Sequence, residues 1–141
     1  DFRLGKGIVQ REGSDVTILS SGIMVAEALK AAELLEEQQI QAEIINIHTI
    51  KPLDTRLIIE SAAKTGCVVT AENGSIYNGL GSAAAECLAE HLPRPMKRIG
   101  VQDCFGQIGQ VEELLNAFHM AAEDIAAAAA ELVRNKKNGG L

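Results

Sequence analysis

A short apolar run at Val16–Leu19 is the feature that most constrains the fold of this chain. A strand of this kind is buried on both faces, which is typical of a parallel sheet covered by helices on either side. Comparable runs recur along the chain, each separated from the next by a stretch with helical periodicity. Four of the predicted strands are Ile8–Arg11, Val16–Leu19, Ala42–Ile47 and Met96–Val101, and the remaining one, fourth in chain order, starts with Cys67–Thr70.

Helices are predicted between and after these strands. Asp54 is well placed as the N-cap of the second helix, and Gly66 as its C-cap. In the first helix an apolar stripe faces the core, and its members are Val25, Ala28, Leu29, Ala32 and Leu35. The predicted helices run from after Gly22 to Gln38, from Asp54 to about Lys64, from Gly79 to near His91, over Val111–Phe118, and from about Glu123 to Lys136.

The order of these elements predicts an α/β fold with helices on both faces of a five-stranded, mostly parallel sheet. Each helix supplies the crossover that a parallel pair needs, so strands two to five are expected to be parallel. Strand one reaches strand two through only a tight turn, so we expect it to run antiparallel at an edge. The 141 residues fit one domain, 1–141, with one core. Because the chain starts at Asp1 rather than Met, we expect it to be a fragment of a longer chain.

Composition argues against several classes of partner. The net charge is −6 and aromatic residues make up 3% of the chain, so neither phosphate binding by a basic surface nor base stacking on aromatic rings is favoured. We therefore expect no nucleic-acid partner. The sequence has no apolar run of about 18 residues and no signal-peptide core, so no membrane partner is expected. Three well-separated cysteines without a C-x-x-C pair indicate a reducing compartment, and we expect a cytoplasmic protein.

Two glycine-containing loops are candidate anion sites. Gly79, Gly81 and Ser82 belong to a G-x-G-x-x-A sequence, and Asp103 follows about 20 residues later, as in a dinucleotide fingerprint. The preceding strand ends six or seven residues too early for that fingerprint, which favours a loop that lets the helix pack closely on the sheet. The second loop, Ser20-Ser21-Gly22, also precedes a helix and could hold an anion on backbone N–H groups, although most such loops only cap the helix.

Three polar residues fall just past the ends of predicted parallel strands. His48, Glu72 and Asp103 would lie along the carboxyl edge of the sheet, where open α/β sheets bind ligands. Together they could support acid–base chemistry. The alternative is that polar residues collect there simply because strands end there. No histidine pair has metal-ligand spacing, and no nucleophile or phosphate-loop motif is present.

Several segments together resemble the C-terminal domain of transketolase-like enzymes. The most specific is Asn46–Asp54, which reads Asn-Ile-His-Thr-Ile-Lys-Pro-Leu-Asp and is similar to split transketolases, in which two polypeptides make one enzyme. The resemblance covers nearly the whole chain. Its other parts are Phe2–Gly7, Arg11–Thr17, Ser21–Val25, Thr70–Glu72, Gly79–Ala83 and Arg98–Val101 with Asp103, Phe105 and Gly106.

This resemblance implies a part of an enzyme rather than a catalyst. Such enzymes use thiamine diphosphate and magnesium, held between a pyrophosphate and a pyrimidine domain, and pass a two-carbon ketol unit from a ketose phosphate to an aldose phosphate in the pentose phosphate pathway. The motifs for that cofactor lie in those two domains. We therefore expect no catalytic, cofactor-binding or metal residue here, and an isolated domain that is inactive.

The resemblance also implies a three-layer α/β/α sandwich that packs on the pyrimidine domain and helps to form a homodimer. Deoxyxylulose-5-phosphate synthases and beta subunits of 2-oxo acid dehydrogenases share this domain and are alternative parents. A free-standing nucleotide- or anion-binding module is an alternative of another class. The sequence departs from split transketolases at Asn73-Gly74, at Gln107-Ile108, and at Ala121, where a threonine N-cap is expected. These departures concern loop contacts and the substrate.

Overall fold

The computed structural model describes residues 3–75, 79–101 and 120–139. The predicted helix Val111–Phe118 and the candidate residue Asp103 lie outside them. Within the described residues two strands come first, and helices and strands alternate after them. They are β1 (Ile8–Arg11), β2 (Val16–Ser20), α1 (Met24–Glu37), β3 (Ala42–Asn46), α2 (Thr55–Thr65), β4 (Val68–Ser75), α3 (Leu80–His91), β5 (Met96–Val101) and α4 (Ala122–Lys137).

The sheet has five strands in the order β1-β3-β2-β4-β5. β2 pairs in parallel with both β3 and β4, and β5 pairs in parallel with β4. β1 is antiparallel to β3, with Ile8 opposite Asn46. The predicted sheet with one antiparallel edge strand is therefore confirmed. β1 pairs with β3 rather than with its sequence neighbour β2, because both sides of β2 are already taken by parallel partners.

Helices cover both faces of the sheet, which confirms the predicted three-layer α/β/α sandwich. Ile18, Ile44 and Val69 point to the face covered by α1 and α4, where one core cluster lies. Alternate residues of the same strands, such as Leu19 and Ile45, point to the face covered by α2 and α3. All five residues of β2 are buried, as the apolar run predicts for the central strand.

The buried face of α1 differs from the predicted stripe. Ala28, Ala32 and Leu35 are fully buried, whereas Val25 and Leu29 are only half-buried. Met24 and Ala31 are buried instead. The reason is that α1 packs on α4 as well as on the sheet, and small residues on both helices share one core cluster.

The caps of α2 fix the loop that follows β3. The Asp54 carboxylate accepts the backbone N–H of Leu57 at 3.3 Å, and Gly66 adopts φ +86° at the end of the helix. Both predicted caps are confirmed. Asp54 also accepts the N–H of Gly7 at 2.9 Å, which ties the segment before β1 to this loop.

The last turn of α4 is hydrogen-bonded to the backbone near the amino ends of β2 and β4. Lys136 Nζ donates to the carbonyl of Asp15 at 2.7 Å and to that of Thr65 at 2.6 Å. The two carbonyls belong to the segment before β2 and to the end of α2, so one ammonium joins three elements. Among the described residues, no helix is both long enough and apolar enough to cross a membrane.

Candidate functional site at the carboxyl edge of the sheet

The carboxyl edge of the sheet contains the point where its connections change direction. β2 leads through α1 to β3 on one side, and β3 leads through α2 back across the sheet to β4 on the other side. β2 is followed by α1 and β4 by α3, and these two helices lie on opposite faces, so the connections diverge between the carboxyl ends of β2 and β4. In open α/β sheets ligands bind at such a switch point. The loop at Ser20–Gly22 and the end of β4 near Glu72 flank it.

Glu72 is a buried carboxylate with both oxygens occupied. Its side chain accepts the N–H of Leu80 at 2.8 Å and the N–H of Gly81 at 2.6 Å. These are the first residues of α3, and Gly79 at the N-cap offers no side-chain acceptor. Glu72 therefore caps α3 from a neighbouring strand and places a negative charge at the positive end of the helix dipole.

This arrangement bears on the dinucleotide fingerprint at Gly79, Gly81 and Ser82. A pyrophosphate at such a loop would accept the N–H groups at the start of the helix. Here the N–H groups of Leu80 and Gly81 already donate to Glu72. A Cβ atom at Gly81 would lie only 3.0 Å from Thr70 Oγ1 and 3.1 Å from Glu72 Oε2. The glycine at position 81 thus serves the close approach of α3 to β4.

Backbone hydrogen bonds join the Ser20–Gly22 loop to the start of α1. Ser20 is fully buried at the end of β2, and Gly22 adopts φ +58°, a left-handed conformation. The N–H of Met24 donates to the carbonyl of Ser21 at 3.1 Å, and that of Val25 to Gly22 at 3.2 Å. The N-cap residue of α1, Ile23, has no side-chain acceptor to offer the helix. The loop is a tight turn into the helix, and Ser21 is half-buried beside it.

His48 and Glu72 lie at the same edge but not together. His48 is half-buried just after β3, where its Nδ1 lies 3.0 Å from the hydroxyl oxygen of Thr49. β2 separates β3 from β4 in the sheet, so the two strand backbones are about 10 Å apart. Glu72 lies within β4, not past its end as predicted from sequence, because β4 continues to Ser75 alongside β5. Asp103, the third member, is outside the described residues.

Sequence analysis missed a second buried carboxylate at the opposite end of the sheet. Glu43 in β3 is only 3% exposed, and it accepts hydrogen bonds from Ser61 Oγ at 2.6 Å, from the N–H of Gly13 at 3.2 Å and from Lys64. Burial alone would raise the pKa of Glu43, but the bonds from Lys64, Ser61 and Gly13 together hold that pKa below its usual value. The pKa of Lys64 is raised by the same contact.

A sequence signal for this cluster exists. One carboxylate inside the apolar strand Ala42–Asn46 requires a buried partner, because an unpaired charge there would be costly. The cluster continues through Thr17, whose hydroxyl lies 2.6 Å from that of Ser61. Within residues 3–75, 79–101 and 120–139, no three His, Cys, Asp or Glu side chains are grouped as metal ligands.

The sheet order and the helices on both faces define an open, mostly parallel α/β domain. The family described as "Transketolase, C-terminal domain" matches residues 5–125, and the chain belongs to that family. It is 55% identical over 136 residues to the 6-deoxy-6-sulfo-D-fructose transketolase subunit SqwH of Clostridium sp. (strain MSTE9), covering 96% of this chain and 42% of that protein. It is 44% identical over 126 residues to a putative transketolase C-terminal section of Methanocaldococcus jannaschii, covering 89% and 39%.

Two further matches extend this picture. A 1-deoxy-D-xylulose-5-phosphate synthase of Heliobacterium modesticaldum is 42% identical over 130 residues, covering 92% of this chain and 20% of that enzyme. A solved structure described as a split gene transketolase, inactive beta4 tetramer, superposes with a TM-score of 0.90 at 44% identity, covering 94% and 44%. The chain thus spans less than half the length of these relatives. The synthase contains the same domain, in agreement with the alternative parent enzyme that was predicted from the sequence.

Proposed function

We propose that this chain is the non-catalytic C-terminal domain of a transketolase that depends on thiamine diphosphate. The observation that carries the proposal is the 55% identity to a transketolase subunit of which the chain spans only 42%. The parent transfers a two-carbon ketol unit from a ketose to an aldose: the bond between C2 and C3 of the donor breaks, and a new bond forms to the aldehyde carbon of the acceptor.

Two features of the described residues favour a thiamine diphosphate and magnesium site that lies in other parts of the parent. A pyrophosphate needs free N–H donors and its magnesium needs grouped oxygen ligands. At the edge of the sheet the first N–H groups of α3 are bound to Glu72, and residues 3–75, 79–101 and 120–139 contain no grouped metal ligands. In this proposal the cofactor is held by the pyrophosphate and pyrimidine domains, which lie outside the 141 residues of this chain.

The donor sugar in this proposal carries an anionic group on C6. The relative with 55% identity carries the name 6-deoxy-6-sulfo-D-fructose transketolase, which favours a C6 sulfonate donor over a phosphate. Removing two carbons from this six-carbon ketose leaves a four-carbon aldose that keeps the sulfonate. Specificity for either anion belongs to the other domains of the parent. This domain packs on the pyrimidine domain and helps to form the homodimer of a cytoplasmic enzyme.

The test uses the complete parent chain with its companion subunit. With thiamine diphosphate and magnesium present, we expect ketol transfer from 6-deoxy-6-sulfofructose to glyceraldehyde 3-phosphate, monitored by mass spectrometry. Fructose 6-phosphate is the matched donor with a phosphate. Condensation of pyruvate with glyceraldehyde 3-phosphate, in place of ketol transfer, would show instead that the parent is a deoxyxylulose-phosphate synthase.

The isolated 141-residue chain supplies a second test. It should show no heat of thiamine diphosphate binding in titration calorimetry and no ketol transfer. Saturable micromolar binding of the cofactor to the chain alone would contradict a non-catalytic role. Equally tight binding of NAD would support the nucleotide-binding alternative.

A further inference from the structure

Three asparagines in this chain are followed directly by glycine, and they are Asn73, Asn78 and Asn138. Such a pair is chemically labile, because glycine has no Cβ atom to hinder the approach of its own backbone nitrogen to the preceding side chain. Asn78 lies outside the described residues. The structure places the other two in different surroundings, and that difference determines which of them reacts in the folded protein.

Asn138 is the C-cap of α4, with φ −84° and ψ 9°, and its side chain is exposed. Gly139 adopts φ +74°, and a Cβ atom built on it would meet no heavy atom within 4 Å. The N–H of Gly139 donates to the carbonyl of Lys136 at 3.2 Å. Rotation about ψ of Asn138 brings the Gly139 nitrogen towards the side-chain amide carbon, and it breaks this long hydrogen bond.

Asn73 is exposed as well, but its backbone is fixed on both sides. It lies in β4 between Ala71 and Ser75, and both of these residues pair with β5. Its Oδ1 lies 3.7 Å from the position that a Cβ atom would take at Gly22. The same rotation at Asn73 would pull the end of β4 away from β5, so a reaction at this site needs local unfolding first.

The charges around Asn138 also favour the reaction. Asn138, Arg134 and Lys137 line one depression of the surface, and both cations are exposed. The reaction passes through a deprotonated backbone nitrogen and an oxyanion on the side-chain carbon, and nearby cations stabilise both. The charged residue next to Asn73 in the chain is Glu72, an anion.

We propose that Asn138 is a deamidation site in the folded protein. The Gly139 nitrogen gives its proton to hydroxide and attacks Cγ of Asn138. The bond from Cγ to the side-chain nitrogen breaks, and ammonia leaves after taking a proton from water. Water then opens the resulting succinimide ring, either at Cγ, which gives aspartate, or at the main-chain carbonyl carbon, which gives isoaspartate. Neither step oxidises or reduces the chain.

Either product changes the end of α4. A new carboxylate at the C-terminus of a helix opposes the helix dipole. Isoaspartate also adds a methylene group to the main chain, which alters the geometry that brings the Gly139 N–H to the Lys136 carbonyl. The modified site is therefore recognisable by two signatures, an added negative charge and an isoaspartyl linkage that a protein isoaspartate methyltransferase labels.

The experiment follows the complete parent chain during incubation at neutral pH. Peptide mapping by mass spectrometry measures conversion at each asparagine, and methyltransferase labelling measures isoaspartate. We expect Asn138 to be converted at least about tenfold faster than Asn73, because only Asn73 needs local unfolding. The same chain in urea is the internal reference. Both sites are unfolded there, so the ratio of their rates should fall sharply.

Two matched variants complete the test. Asn138→Gln should lose the signal at position 138, because the longer side chain closes the ring much more slowly. Asn73→Gln should leave the rate at Asn138 unchanged. Equal rates at Asn73 and Asn138 in the folded protein, or the same ratio of rates with and without urea, would overturn the proposal. None of these measurements uses ketol transfer, so the outcome is independent of the proposed function.

Discussion

Glu72 and Gly81 are joined by a hydrogen bond of 2.6 Å from the backbone N–H of Gly81 to the carboxylate of Glu72. The pair brings the start of α3 onto β4, with the N–H of Leu80 held by the other carboxylate oxygen. A loop with the composition of a nucleotide-binding turn thereby receives a negative charge from its own chain. Its contribution to stability is directly measurable.

Substituting Glu72→Ala should lower the free energy of unfolding by about 2–4 kcal/mol, because two buried N–H groups lose their acceptor and the helix dipole loses its counter-charge. Glu72→Gln keeps one acceptor oxygen and should cost about half as much. Urea denaturation measures both. A loss confined to Glu72→Ala would show that packing, rather than the hydrogen bonds, accounts for the effect, because Gln keeps the volume of the side chain.

Substituting Gly81→Ala should destabilise the protein by about 1–3 kcal/mol through overpacking. The new methyl group would meet Thr70 Oγ1 at 3.0 Å and Arg98 Cδ at 3.0 Å. The combination Gly81→Ala with Thr70→Ala removes one of these obstacles and should recover part of the loss relative to the sum of the single changes. Strict additivity in thermal denaturation would argue against the Thr70 contact.

Stability should fall in acid because of Glu43. Its pKa in the folded protein lies below the ordinary value of 4.5, so its stabilisation is fully present above pH 4.5 and is lost as the pH falls through the folded pKa. We expect Glu43→Gln to cost about 1–3 kcal/mol at pH 7 and distinctly less near pH 3. Unfolding free energies at the two pH values provide the measurement.

The exposed pair Arg56–Glu60 is the matched control for Glu43, with its side chains 86% and 61% exposed. Glu60→Gln should change stability by less than about 0.5 kcal/mol at pH 7, since exposed pairs contribute little. A cost for Glu43→Gln that is independent of pH would mean that the lost acceptor oxygen matters and the charge does not, since Gln has nearly the same volume as Glu.

Ala121→Ser should stabilise α4 modestly. Ala121 is the N-cap with extended backbone, and it has no side-chain acceptor. Two nearby N–H groups are already satisfied, because Asp124 accepts the N–H of Ala121 at 3.1 Å and Glu27 accepts that of Ala122 at 3.1 Å. We therefore expect a gain of about 0.5 kcal/mol, at the low end for a serine cap. Ala121→Gly, which adds no acceptor, is the control in thermal denaturation.

Sequence reasoning predicted the elements whose signals are local. β2 followed from its apolar run, and the bounds of α2 followed from Asp54 and Gly66. β4 was predicted to begin with Cys67–Thr70, with Glu72 just past its end and a loop through Asn73 and Gly74. It extends to Ser75 because pairing with β5 continues past that point.

Contacts between elements that are far apart along the chain could not be predicted from the sequence. The role of Glu72 depends on α3 folding back over β4, and that of Glu43 depends on where Ser61 and Lys64 lie on α2. The burial of Met24 and Ala31 depends on α4, which is nearly one hundred residues away along the chain. The family was recognisable from Asn46–Asp54, whereas the candidate site residues themselves stay a prediction.

The hydrogen bonds of the Lys136 ammonium form late in the synthesis and folding of the chain. The ammonium closes on the carbonyl of Asp15 across a separation of 121 residues. During synthesis the strands and α1 leave the ribosome before α4. Until α4 is made, the apolar face that includes Ile18 and Val69 is only partly buried. A chain released early, without α4, would present that face to solvent and to other chains. This layer can be completed only after α4 has been translated. We therefore expect aggregation when a nascent chain pauses before α4.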